Sequence, residues 1–270
     1  MVGHRTLLEV IADWTDLGPR IAAAVGLPVA AGARLRAPIP RPARNLFAVG
    51  KNYHDHIQEF ARSGYDAPDR ADDVPKVPIV FSKVPSAVTG PGDDIEAHPT
   101  VTGELDYEAE LAVIIGRGGR GIAREDAMAH VWGYTIINDV TARELQRDHQ
   151  QWLLGKSLDT FAPMGPWAVT AQEAGDPREL TVSSTVNGEA RQHASVADLI
   201  FDIPELIATI SAGITLQPGD IIATGTPAGV GIGFTPPRFL TPGDVVECSI
   251  TGLGTLRNTV RTPRTARNPA

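Results

Sequence analysis

Three acidic side chains carry the first chemical suggestion in this chain. Glu108 and Glu110 stand two apart in the run LDYEAELAVII, and Asp139 closes the run WGYTIINDV. Both runs are apolar, β-branched or aromatic and are bounded by glycine or charge, the pattern of strands. Side chains alternate faces along a strand, so Glu108 and Glu110 point the same way, together with Asp106. Crowded carboxylates are costly to bury unless a cation or a proton intervenes. The next residues, Leu111 to Ile115, are apolar, so this strand enters a core. Acidic groups at the mouth of a buried strand suit a cation site, with Asp139 as a third carboxylate. The same Glu-x-Glu spacing also arises on the solvated face of an edge strand, and spacing alone leaves both readings open.

A second group lies in KNYHDHIQEFARS, which reads as a helix. His56 and Glu59 are three apart, hence on one face. A carboxylate beside an imidazole raises its basicity and fixes its orientation, the layout of a general base. An inconsequential surface pair has the same spacing. His54 faces away from His56. Beyond Asp139, Arg143 and Gln146 also share a helix face, and a guanidinium beside an amide suits a substrate carboxylate. Lys156, with apolar flanks, is a candidate partner for an oxyanion or carboxylate, or a surface lysine. Lys83 follows an apolar run and is either held at a site or snorkels to water. Thr226, in GTPAGVG, offers a hydroxyl and backbone N–H groups to a carboxylate, or only closes a tight turn. GRGGRG at 116–121 lacks both the phosphate-loop and the dinucleotide patterns, so no nucleotide site is read there.

The elements that must position these groups follow in order. Residues 5–25 read as an amphipathic helix broken near Gly18-Pro19. Pro38, Pro40 and Pro42 impose extended backbone on a connector. The main body opens at Leu46 with the strand LFAVG, and Asn52 is a candidate N-cap for the helix that carries His56. The polar segment Ser63–Pro78 reads as a lid or binding loop, or as a solvated insertion. Thr141 is a candidate cap for the turn carrying Arg143. Asn187-Gly188 marks a hairpin. Ser195 would cap an apolar helical run that Pro204 breaks or kinks. The division is therefore 1–45 as N-terminal extension and connector, 46–262 as the main domain, and 263–270 as a polar tail.

The bulk properties exclude several classes. The 270 residues suffice for a large core without staples. A formal net charge of -8 argues against nucleic acid. An anionic substrate then needs a local positive site. The single cysteine, Cys248, excludes an internal disulfide, fits a reducing cytoplasm and reads as a buried inert thiol in VVECSI. No run approaches the ~20 apolar residues of a membrane span, and the N-terminus has no signal-peptide layout. The expectation is a soluble cytoplasmic protein with no membrane partner.

Six segments carry a resemblance: VGKNYHDHIQE, FSKVPSAVTGPGDDI, LDYEAELAVIIGR, WGYTIINDVTARELQ, GKSLDTFAPMGPW and LQPGDIIATGTPAGVG. In this order they resemble the fumarylacetoacetate hydrolase family, from about Phe47 to Val260. The resemblance implies an α+β fold: a β-rich roll of mixed strands with short peripheral helices, assembled as a homodimer. It implies a divalent metal, Mg2+ or Mn2+, held by Glu108, Glu110 and Asp139; an all-oxygen set suits hard cations. It places His56 and Glu59 on a mobile lid helix as the catalytic pair, and Arg143, Gln146, Lys156 and Thr226 at positions that hold the acid groups of a small oxo acid. The expected reaction is hydrolysis of a C–C bond in an acylpyruvate-like or diketo acid through an enolate, with Lys156 stabilising the oxyanion. Oxaloacetate decarboxylation, or isomerisation and decarboxylation of 2-hydroxyhepta-2,4-diene-1,7-dioate in aromatic catabolism, is the alternative on the same scaffold. A non-catalytic metal or small-acid binder is the alternative of another class, and the intact His56–Glu59 pair argues against it.

Overall fold

Two curled sheets of mixed strand direction carry the chain. The computed structural model describes residues 5–24, 32–64 and 74–262. Residues 65–73 of the expected lid loop, and the tail 263–270, lie outside the described residues. The helices are short: α1 (Leu7–Ala12), α2 (Trp14–Ala22), α3 (His54–Ser63), α4 (Arg143–His149), α5 (Leu153–Lys156), α6 (Ala171–Ala174) and α7 (Ile203–Ser211). The first seven strands are β1 (Leu46–Gly50), β2 (Ile79–Lys83), β3 (Val88–Thr89), β4 (Asp94–Glu96), β5 (Leu105–Asp106), β6 (Ala109–Ile115) and β7 (Val131–Asn138). The other seven are β8 (Thr141–Ala142), β9 (Ala162–Thr170), β10 (Thr181–Val186), β11 (Glu189–Ser195), β12 (Ile221–Ala223), β13 (Val245–Ile250) and β14 (Gly254–Arg261).

The larger sheet has the order β2-β1-β12-β6-β7-β9-β3 and the smaller β11-β10-β13-β14-β4, while β5 and β8 form a separate pair. Parallel pairs such as β1–β12 and β14–β4 sit among antiparallel ones, which makes both sheets mixed. Every residue of β6 is buried. That strand is central and covered on both faces, so its sequence is a continuous apolar run and not an alternation. Glu110 is the one acidic residue within it. By contrast, β10 and β13 alternate between buried and half-buried positions. Their buried face meets the larger sheet, where Val182, Val246 and Leu256 share a core with Leu111, Val113 and Ile136. A second core on the other face joins Ile11, Ile39 and Trp132 to Ala48 and Ile114. The N-terminal helices therefore pack directly on the sheet that holds the acidic residues. Cys248 is wholly buried in β13, and burial pushes its thiol up to about 12.

Several local expectations change. The N-terminal helix breaks at Asp13, which caps α1 and opens α2, and Pro19 lies inside α2. Gly18 does not interrupt α2; a side chain there would strike the Trp14 ring. Asn52 is not a cap. Tyr53 holds that position, and the Asn52 amide is buried, donating to the carbonyls of Phe201 and Thr224 and accepting from Phe201 N–H. Thr141 donates to the Asp139 carbonyl instead of capping α4. Ser195 caps a short 3-10 turn, Val196–Asp198, and Asp202 caps α7. Pro204 falls in the first turn of α7, where its missing N–H costs no hydrogen bond, so it opens the helix and does not break it. Asn187 and Gly188 both take positive φ, as the hairpin signal predicts.

Candidate active site

The chain leaves the β5 strand at Tyr107 and re-enters pairing at Ala109, which is opposite Asn138 on β7. That register puts Glu108 beside Asp139. The Glu108 N–H is taken by the Asn138 side chain at 3.0 Å, and the Glu108 carbonyl accepts from Asp139 N–H at 2.8 Å. One carboxylate oxygen each from Glu108, Glu110 and Asp139 then falls within 4.8 Å of the others, and all three residues are buried. Asp106 does not join them. The break after β5 turns its carboxylate to the N–H groups of Gly231 (2.6 Å) and Ile232 (3.1 Å) and to Arg143 Nε (2.9 Å).

Three buried cations face these carboxylates. Lys156 Nζ donates to Glu108 and to Asp139, each at 2.7 Å. Lys83 Nζ donates to the other oxygen of Asp139 and to the Val140 carbonyl. Arg143 Nη2 lies 2.8 Å from both Asp106 and Glu108 as an ionic contact aligned with neither. Four carboxylates against three cations leave one negative charge over, and the residue that bears the consequence is Glu110. Among the described residues it receives a single hydrogen bond, from Gly225 N–H at 2.8 Å. Burial, then the charges of Asp139 and Glu108, raise its carboxyl well above the usual range. Burial would raise Glu108 as well, but Lys156 and Arg143 overcome it and hold that carboxyl at about 2. For Lys156, burial opposes the charge, and Asp139 with Glu108 outweigh it. For Lys83 burial wins over Asp139, and its ammonium is pushed down. A buried, all-oxygen carboxylate set with surplus negative charge fits a hard divalent cation, which would take the place of a proton on Glu110.

His56 is buried and Glu59 half-buried, so the pair does not lie on an open surface. His56 Nδ1 lies 3.2 Å from Glu59 Oε2, and Glu59 Oε1 accepts from Gly229 N–H at 2.8 Å. With Nδ1 directed at a carboxylate, the tautomer that fits carries its proton there and leaves Nε2 bare. His56, Glu108, Glu110, Arg143, Gln146, Lys156 and Thr226 line one cleft, walled by Phe60, Phe81 and Trp152. It encloses about 330 Å³ of empty space, mouth included.

Some expected substrate contacts are used elsewhere. Lys83 is wholly buried, is not among the lining residues and is bonded to Asp139. The Thr226 hydroxyl donates to the Ala109 carbonyl and accepts from Gln192, which makes it part of the turn. Arg143 is engaged by Asp106, Glu108 and the Gln146 side-chain Oε1. Among the described residues, none accepts a hydrogen bond from the Gln146 amide N–H groups. Sequence reasoning missed Asp106 as an anchor, Asn52 as a tie between loops, and the turn at 229–233. The run GVGIG was the available signal for the last, since closely spaced glycines mark close approach of other groups to a backbone.

A sequence profile described as the fumarylacetoacetate (FAA) hydrolase C-terminal domain matches residues 45–261. The chain belongs to the fumarylacetoacetate hydrolase family. It is 53% identical over 227 residues to oxaloacetate tautomerase YisK of Bacillus subtilis (strain 168), covering 84% of this chain and 73% of that one. It is 47% identical over 226 residues to mitochondrial oxaloacetate tautomerase FAHD2A of Bos taurus, covering 83% and 68%. Among solved structures, fumarylacetoacetate hydrolase from psychrophilic Exiguobacterium antarcticum superposes with a TM-score of 0.81 at 45% identity, over 96% of this chain and 88% of that one. Maleylpyruvate hydrolase from Sphingobium sp. SYK-6 gives 0.76 at 36% identity, over 95% and 86%. The mixed-strand roll with short helices is the fold of this family. Among the described residues no helix is long and apolar enough to cross a membrane.

Proposed function

We propose that this family member interconverts the enol and keto forms of a short 2-oxo diacid of the oxaloacetate type, with Mg2+ or Mn2+ held by Glu108, Glu110 and Asp139. One observation carries the reading: a buried imidazole, braced by Glu59, opens on the same cleft as Glu108 and Glu110, whose carboxylates meet that of Asp139. When bound there, a hard divalent cation supplies a Lewis acid for the carboxylate and 2-oxo oxygens of the substrate. The bare Nε2 of His56 takes a proton from C3 of the keto form. The C–H electron pair becomes the C2–C3 double bond, and the carbonyl π pair moves to the 2-oxo oxygen, which then receives a proton. The reverse sequence makes the ketone. One proton moves from carbon to oxygen and nothing is gained or lost. Glu59 stabilises the imidazolium between the two transfers. Lys156 has one N–H beyond its two carboxylate bonds, and Gln146 has its amide N–H groups, for the diacid's oxygens. Phe60, Phe81 and Trp152 keep the site dry.

The names of the 47–53% identical relatives support the same substrate class. The second reading is the C–C hydrolase expected from the sequence. It is favoured by the same His56–Glu59 pair, which would take a proton from water if a water stood between imidazole and substrate. A panel assay with Mg2+ separates the two. Enol-oxaloacetate absorbance should decay under catalysis while acylpyruvates stay intact, and EDTA should stop the decay. Cleavage of an acylpyruvate without effect on oxaloacetate would reverse the order of the readings.

A further inference from the structure

We infer that the turn Gly229–Gly233 is the receiver that sets the base against the cation site, and that Gly233 is a positioning residue for Glu59. The inference rests on the proton-transfer role of His56 proposed above. Five residues of backbone hold the two carboxylates that organise the two halves of the site. Gly229 N–H donates to Glu59 Oε1 at 2.8 Å, and Glu59 holds His56. Gly231 and Ile232 N–H donate to Asp106, which anchors Arg143, whose guanidinium in turn touches Glu108. Apolar contacts fix the same geometry: Phe60 of α3 packs on Val230 and Ile232. The turn itself is tethered. The Tyr107 hydroxyl donates to the Gly229 carbonyl at 2.8 Å. The Arg191 and Arg238 guanidinium groups both lie over the Phe234 ring, at 4.8 and 5.1 Å, and Glu189 binds Arg238 through both oxygens.

Each glycine of the turn is approached by something different. A Cβ on Gly229 would collide with the Arg191 backbone, at a φ of +106° that side chains rarely adopt. A Cβ on Gly231 would meet the Arg238 carbonyl and the Asp106 carboxylate, both at 2.6 Å. A Cβ on Gly233 would fall on the Glu59 carboxylate, and its three nearest atoms all belong to Glu59. Gly233 does not have positive φ, so its backbone accepts alanine. What alanine cannot share is the space of the carboxylate that orients the base. A side chain at 233 therefore acts on the reaction through Glu59, by pushing it off Gly229 and His56.

Gly233→Ala tests this in the full-length protein. The 15N signals of the His56 ring should show an Nδ1–H tautomer in the parent protein and lose that bias in Gly233→Ala, as in Glu59→Ala. With oxaloacetate, kcat should fall about 10- to 100-fold, the scale of a misplaced catalytic group, while KM and Mg2+ affinity stay within about twofold. In the Glu59→Ala background the same substitution should cost almost nothing, because the space is then vacant. An unchanged His56 tautomer, or an equal loss of kcat in both backgrounds, overturns the inference. If Gly233→Ala alone does not fold, the double variant Glu59→Ala/Gly233→Ala should fold and melt like Glu59→Ala. A double variant that also fails assigns Gly233 to the fold and overturns the positioning role. The ring signals need no substrate. A tautomer shift in a protein whose parent turns over no oxo acid would therefore support the positioning and sink the reaction.

Discussion

Magnesium titrated into the metal-free protein, at a pH where Glu110 is still protonated, should expel about one proton for each ion bound. The magnitude comes from the buried charges. Asp106, Glu108, Glu110 and Asp139 stand against Arg143, Lys156 and Lys83, so full ionisation leaves one uncompensated negative charge out of water. Glu108 does not take the proton, since Lys156 and Arg143 hold it at about 2 despite burial. Glu110 does, since burial and its acidic neighbours raise it and outweigh the Lys156 charge and the Gly225 N–H, which favour its ionised form. A dication within reach of all three carboxylates favours the ionised form and releases that proton. Calorimetry in buffers of different ionisation enthalpy, such as Pipes and Tris, reads it directly. The apparent binding enthalpy should vary with buffer enthalpy at a slope of about one proton. Apparent affinity should rise about tenfold per pH unit while Glu110 remains protonated. Glu110→Gln should abolish the slope and weaken binding. A slope of zero in the parent protein, or an unchanged slope in Glu110→Gln, would refute the reasoning.

Arg143→Leu leaves Asp106 and Glu108 buried without their shared cation, which should cost about 3–5 kcal/mol in urea unfolding of the metal-free protein; a loss below 1 kcal/mol would mean that the carboxylates find other partners. Acid should destabilise the fold through Glu108. Its carboxyl is lowered from 4.5 to about 2, so its stabilisation is present above pH ~4.5 and is lost as pH falls towards 2, by roughly 3 kcal/mol. Glu110 has the opposite sign: its carboxyl is raised, so in metal-free protein its contribution is lost as pH rises through its own titration. Unfolding curves with and without Mg2+ should therefore diverge as pH increases, and parallel curves would contradict the assignment.

The acidic trio was legible because it rests on short-range rules: alternation from Glu108, just before β6, to Glu110 within it, and an Asp at the end of the neighbouring strand. Asp106 was placed on the same face by the same rule, and wrongly, because the strand is interrupted at Tyr107 and the rule holds only within continuous pairing. The spacing of His56 and Glu59 gave their shared face but not their burial. The Gly229 N–H that binds Glu59 comes from 170 residues further along the chain. Asn52 and Thr141 have the composition of caps, yet each makes a different hydrogen bond, which a local capping preference does not anticipate. Lys83 was visible as a lysine among apolar residues, but its direction towards Asp139 follows from β2 packing at the sheet edge, where no local pattern reports it.

The central claim is that a braced imidazole moves a proton on an oxo acid held at the acidic trio. The most direct measurement is the ketonisation rate of enol-oxaloacetate under saturating Mg2+, compared between the parent protein and His56→Ala, with Mg2+ binding verified in both. The account predicts EDTA-sensitive catalysis in the parent, and a loss of about 100-fold or more in a variant that still binds the metal. A parent protein no faster than buffer, or a His56→Ala variant at full rate, would contradict it.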